Sequence, residues 1–136
     1  MVASNMSQSP VLLLASKLNI PVSISSSSNQ HQDGKSEAWH VSICVFDREY
    51  SCGRDGITIS KIKQQPPESI IIGYTNTTCE ELNNYVKNLK GWKKRNYDVL
   101  NNNCQHFAQL ILRFLGIKKL IPKHFTNLPK VLRSAL

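Results

Sequence analysis

Between Trp39 and Phe46 the chain alternates: Trp39, Val41, Ile43 and Val45 interleave with His40, Ser42, Cys44 and Phe46. A two-residue period is that of a strand. The alternation makes one bulky face and one on which His40 sits with the small Ser42 and Cys44, leaving room for a helix end or a ligand. Asp47-Arg48 can turn the chain into a second strand at Glu49–Cys52, and Gly53-Arg54-Asp55-Gly56 is a further turn signal. Ile57–Ile62 alternates again, Pro66-Pro67 marks a loop, and Ser69–Tyr74 reads as another short strand. The period then changes. Thr78-Cys79-Glu80-Glu81 has the form of a capping box, and Leu82, Tyr85, Val86 and Leu89 follow at helical spacing up to Gly91. A second helix carries Phe107, Leu110, Ile111, Phe114 and Leu115 on one face, with N-cap candidates at Asn101–Asn103 and a C-cap candidate at Gly116. Ile121-Pro122 and Leu128-Pro129 bracket a final short segment.

Strands followed by helices predict an α+β fold, an antiparallel sheet packed against helices. The composition changes at about residue 37. Residues 1–37 include the polar runs Ser23–Ser28 and Asn29–Gly34, which bury little surface and set this part apart as a variable, partly disordered segment. Within it Val11–Leu18 is apolar enough to dock on the domain as a strand or short helix. The domain proper is expected at 38–136.

At 136 residues the chain is long enough for one domain with a real core. Its four cysteines, at 44, 52, 79 and 104, show no disulfide framework. The Val11–Ala15 run is too short for a secretory signal, and no apolar run approaches the roughly 18 residues of a membrane span. These features predict free thiols in a reducing, cytoplasmic or nuclear compartment, where the Asn76-Thr77-Thr78 sequon has no role. The net charge of +8 gathers in Lys87–Arg95 and at Lys118, Lys119, Lys123, Lys130 and Arg133. A solvated lysine-rich surface explains it as well as a face that steers an acidic partner, and no nucleic-acid motif accompanies it.

The candidate chemistry lies where the second helix begins. Cys104 falls in its first turn, where free amides and the helix dipole favour a thiolate, the nucleophilic form of cysteine. A buried structural cysteine is the plainer alternative. Its base would be His40, which read alone is more simply a strand histidine satisfied by backbone. His106 lies two positions after Cys104 and so faces elsewhere, while His31 and His124 sit in polar or loop contexts. No ligand pairs of metal-site spacing occur, so neither a metal nor another cofactor is expected.

Taken together the motifs resemble the PPPDE family, permuted papain-fold cysteine peptidases that include deSUMOylating isopeptidases. Ala38-Trp39-His40-Val41-Ser42-Ile43-Cys44-Val45, followed by Glu49-Tyr50, Gly53 and Gly56-Ile57, is similar to that family's histidine motif. Tyr97, Asn103-Cys104 and Phe107 resemble its cysteine motif. Pro66-Pro67-Glu68-Ser69, the Thr78 helix start, Ile121-Pro122 and Leu128-Pro129 continue the likeness over about residues 38–133. It implies a permuted papain-like fold with His40 as general base and Cys104 as nucleophile. Backbone amides at the helix start would hold the oxyanion, with Asn103, Gln105 and Trp39 as supporting candidates. The implied reaction is hydrolysis of a Gly-Lys isopeptide bond, and the implied partners are SUMO or ubiquitin conjugates, with a homodimer left open.

The chain departs from the family pattern at Gln105, where Asn is common, and at Ser51 and Cys52, where aromatics are common. Asn103-Cys104-Gln105-His106-Phe107 also resembles the Asn-Cys-x-His-Phe box of lecithin:retinol-acyltransferase-like enzymes, which keeps lipid acyl transfer and protein S-acyl thioester hydrolysis as alternatives. A catalytically silent binding module of the same fold is a third.

Overall fold

In the computed structural model, which describes residues 8–17, 39–62, 69–92 and 103–125, the alternating segments form one five-stranded antiparallel sheet. Its strands are β1 (Ser9–Lys17), β2 (Trp39–Val45), β3 (Arg48–Gly53), β4 (Gly56–Lys61) and β5 (Ile70–Thr75), in the spatial order β4-β3-β2-β1-β5. Two helices, α1 (Cys79–Lys87) and α2 (Cys104–Phe114), contribute to one hydrophobic core with the sheet, and a 3-10 turn spans Lys123–Phe125. The Ser-rich stretch, Pro66-Pro67, Tyr97 and the segment from Leu128-Pro129 lie outside the described residues.

β1 lies on the N-terminal side of the boundary expected at residue 37. It is paired on both edges, with β2 from Leu12↔Cys44 to Lys17↔Trp39 and with β5 from Ser9↔Thr75 to Leu13↔Ile70. The sheet is therefore built across that boundary. Val11, Leu13 and Ala15 join the main core, and Leu14 is buried on the reverse face beside its partner Ser42. A strand apolar on both faces has no two-residue signature, so its sequence does not distinguish strand from helix.

The β2–β3 hairpin turns one residue earlier than expected, at Phe46-Asp47, whose φ values are 57° and 60°. Positive φ at both loop positions is the I′ geometry, which matches the twist of the flanking strands. Asp47 suits that conformation, whereas Phe46 gives no sign of it.

The core fixes which face of β2 meets the helices. Trp39, Val41, Ile43 and Val45 join Tyr50 and Cys52 of β3 in one cluster with Cys104, Phe107, Ala108, Ile111 and Leu112 of α2. Thus α2 packs on the bulky face, not on the face of His40, Ser42 and Cys44. The reason is area: burying a large apolar side chain contributes about 1.5–3 kcal/mol, and the small face offers few of them.

Both helix starts follow the expected capping. In α1, Thr78 Oγ1 accepts from Glu81 N at 3.1 Å and Glu81 Oε1 accepts from Thr78 N at 2.9 Å. The helix ends at Lys87, short of Gly91, with Asn88 as its cap. In α2 the cap is Asn103, and the C-terminus is a Schellman motif around Gly116. There Ile117 N donates to Leu112 O at 3.0 Å and Gly116 N to Arg113 O at 3.1 Å. The Thr75 hydroxyl then ties β5 to this end by donating to Leu115 O at 2.9 Å.

Gly116 has φ +81°, and a Cβ there would meet nothing within 4 Å. Gly116→Ala should therefore cost about 1 kcal/mol through backbone strain alone, lowering Tm by about 3–5 °C, with Gly116→Asn costing less. Thermal melts check this, and an Ala variant as stable as wild type would refute it.

Candidate active site

Cys104 is the first residue of α2 and is buried. Its N-cap, Asn103, is fully buried, and Asn103 Oδ1 accepts from Gln105 N at 2.9 Å and from His106 N at 3.3 Å. His106 completes the cap from the opposite direction. Its Nδ1 accepts from Asn103 N at 3.1 Å, which assigns the remaining proton to Nε2. An exposed imidazole used in this way supports the expectation that His106 is a poor base for Cys104.

The thiol meets β2 through the main chain. Backbone amides of Val41, Cys104 and Gln105 face it and favour its thiolate form. The Val41 contact follows from strand parity. The two-residue hairpin makes Val45↔Arg48 a closed pair, so the amides of Val45, Ile43 and Val41 all point toward β3. The β2–β3 ladder comprises Val45↔Arg48, Cys44↔Glu49 and Ile43↔Tyr50, and two residues further the same register sets Val41 beside Cys52. There the Val41 amide turns to the thiol of Cys104.

The expectation of a low-pKa thiol at the helix start does not hold in this state. Burial pushes Cys104 up, and this outweighs the lowering by the three amides. Cys52 is pushed up to about 11, by burial first and then by the charge of the neighbouring Cys104, so the two thiols resist ionising together.

His40 is half-buried on β2, on the parity of Ser42 and Cys44. Burial lowers its pKa, and the charge of Glu49 raises it by less. Glu49 faces the same side, where its carboxylate accepts the Ser42 hydroxyl at 2.6 Å. Among the described residues no hydrogen bond joins His40 to Cys104. The Val41 N–H, which favours the Cys104 thiolate, belongs to the peptide unit that follows His40, while the His40 side chain lies on the other face of β2.

The supporting candidates occupy structural positions. Gln105 Nε2 donates to Trp39 O at 3.3 Å and to Phe125 O at 2.6 Å, which engages both its hydrogens and leaves none for an oxyanion. Trp39 is buried edge-on to Phe125, with ring centroids 5.1 Å apart. Asn103 serves the helix cap. The Val41 amide, Cys52 and Phe125 were not anticipated; the first two could have been found from the strand register, whereas Phe125 arrives through tertiary packing alone. All four cysteines are free, and among the described residues no three His, Cys, Asp or Glu side chains gather as a metal site. No helix there is long and apolar enough to cross a membrane.

A capped helix that presents a cysteine to a strand bearing a histidine is an arrangement of the cysteine-hydrolase class. Residues 15–135 match the family model described as "PPPDE putative peptidase domain", and the chain belongs to this family. It is similar to desumoylating isopeptidase 1 of Xenopus laevis, with 35% identity over 102 residues. The proteins of that name from Rattus norvegicus and Homo sapiens are 31% and 30% identical over the same length. Each match covers 71% of this chain and 60% of the relative, so the chain spans well under two thirds of the curated relatives it matches.

Since His40 is held below its ordinary value near 6.5, the unfolded chain binds more protons than the folded one just below that pH. The stability tied to neutral His40 is present above about pH 6.5 and is lost as pH falls through it. Urea midpoints measured at about pH 5 and about pH 7.5 should differ less in His40→Gln than in wild type. An unchanged difference would show that protonation of His40 is not linked to folding.

Proposed function

We propose that this chain is a cysteine isopeptidase domain of permuted papain-like arrangement, with Cys104 as nucleophile and His40 as general base. The carrying observation is the thiol of Cys104 at the capped start of α2, set against the peptide unit that follows His40. The names of the relatives support a SUMO conjugate as substrate, cleaved at the Gly-Lys isopeptide bond. They lend nothing to S-acyl or lipid acyl chemistry.

Burial favours a neutral thiol and a neutral imidazole over a preformed ion pair. The attack is then assisted by a general base: His40 takes the thiol proton as sulfur adds to the isopeptide carbonyl. Such a transfer needs the imidazole within about 2.6–3.2 Å of sulfur, a contact that in apo enzymes often tightens only with substrate bound. The developing oxyanion is placed near the amide at the start of α2. The imidazolium returns its proton to the departing lysine amine, leaving an acyl-thioester on Cys104. Water, deprotonated by His40, then hydrolyses that thioester and releases the modifier with a free C-terminal carboxylate. The catalytic domain in this reading includes β1, since Ala15 packs in the same core as Val41 and Cys104.

Cys104→Ser should reduce cleavage of a SUMO–lysine isopeptide conjugate to background, and His40→Ala should lower kcat/KM by about 10²–10⁴-fold. Neutral His40 is required, so the acid limb of kcat/KM should lie below about pH 6.5. Gel-based cleavage with the purified chain tests this, and a Cys104→Ser variant that still releases the modifier would end the proposal. Intact activity on ubiquitin conjugates but none on SUMO would redirect the substrate assignment.

A further inference from the structure

We infer that Gln105 is a positioning residue that sets the backbone of His40 relative to Cys104. The inference rests on the assignment of these two residues as the reacting pair. Gln105 is buried, and its carboxamide lies where three segments meet. One hydrogen goes to the carbonyl of Trp39 on β2 and the other to the carbonyl of Phe125 in the 3-10 turn. The Trp39 carbonyl belongs to the peptide unit that precedes the Cα of His40. The Val41 amide, which meets the thiol of Cys104, belongs to the unit that follows it. Gln105 thus holds the peptide unit upstream of His40, and the adjacent Cys104 lies beside the unit downstream.

The grip is braced. Trp39 and Phe125, the residues whose carbonyls share the carboxamide, also pack edge to face. On the helix side, the main-chain N–H of Gln105 is held by the Asn103 cap, which fixes where its side chain starts. Length is decisive. Asn, one methylene shorter, would start from the same capped backbone with a shorter reach toward the two carbonyls. Gln at this position therefore fits a structural duty, and that duty is to hold the strand residue next to the histidine.

The test is a double-mutant cycle read by a reaction that needs no modifier. The rate of Cys104 alkylation by iodoacetamide is measured by peptide mass spectrometry between about pH 6 and 9, spanning the ordinary imidazole and thiol pKa values. The proteins are wild type, His40→Ala, Gln105→Leu, Gln105→Asn and the His40→Ala/Gln105→Leu double variant. If Gln105 acts by placing His40, Gln105→Leu slows alkylation by about 10- to 100-fold. The double variant is then no slower than His40→Ala alone, because there is no longer a histidine to place. Gln105→Asn should fall between wild type and Gln105→Leu, and it carries the same cycle if the Leu variant does not fold. An effect of Gln105 that persists undiminished in the His40→Ala background would make the residue merely structural and overturn the inference. So would a wild-type rate in Gln105→Leu while His40→Ala remains slow. Equal rates in wild type and His40→Ala would instead remove the reacting pair itself, and the positioning role with it.

Discussion

The amide of Val41 is directed toward β3 by the parity that the hairpin imposes, and at that point it meets a thiol. Main-chain donors inside a protein need partners, and an orphaned one costs about 1–3 kcal/mol. Cys104 lies beside that amide, and its side chain packs in the same core cluster as Val41 and Cys52, where the first turn of α2 meets β2 and β3. The rest of α2 follows along the apolar stripe of Phe107, Ala108, Ile111 and Leu112, and its far end is held to β5 through Thr75 and Leu115.

Burial at this point sets the chemistry. Enclosing sulfur raises the thiol pKa even with three amides aimed at it, and enclosing His40 lowers the imidazole pKa even with Glu49 nearby. The two shifts have one cause and opposite signs, because the thiolate is the charged form of one group and the imidazolium of the other. Both move the pair toward its neutral state. If the two act as the proposed proton-transfer pair, this arrangement postpones charge separation until a carbonyl takes up the negative end.

Much of this was legible in the sequence where local chemistry decides it. Thr78 with Glu81, and Asn103 ahead of Cys104, mark helix starts because capping is a contact between residues two or three apart. The alternation of β2, β3 and β4 is visible because their two faces differ in polarity. β1 was obscured because Val11, Leu13 and Leu14 are buried on both faces of the sheet. The hairpin at Phe46-Asp47 starts one residue earlier than expected because Phe46, unlike Asp47, is not a residue that usually signals positive φ. The face of β2 that receives α2 was misjudged by asking where there was space, when the larger apolar area decides. Gln105 stands out in the sequence as a supporting oxyanion candidate because its place beside Cys104 is local, whereas its bonds to Trp39, 66 residues away in sequence, and to Phe125 are not.

That last difference reaches to specificity of function. A carboxamide in the first turn of a helix can serve a reaction by donating to substrate or by holding the scaffold, and both uses need the same two hydrogens. Buried hydrogen-bonded donors that would have to break two bonds before reaching a new acceptor are poor transition-state ligands, since preorganised stabilisation depends on donors already aimed at the developing charge. Gln105 is aimed at carbonyls of its own chain. The amides at the start of α2 remain as the donors near sulfur, and of these the Gln105 N–H is also bonded to Asn103 Oδ1. In the proposed reaction the amide of Cys104 would be the better placed of the two to receive the oxyanion.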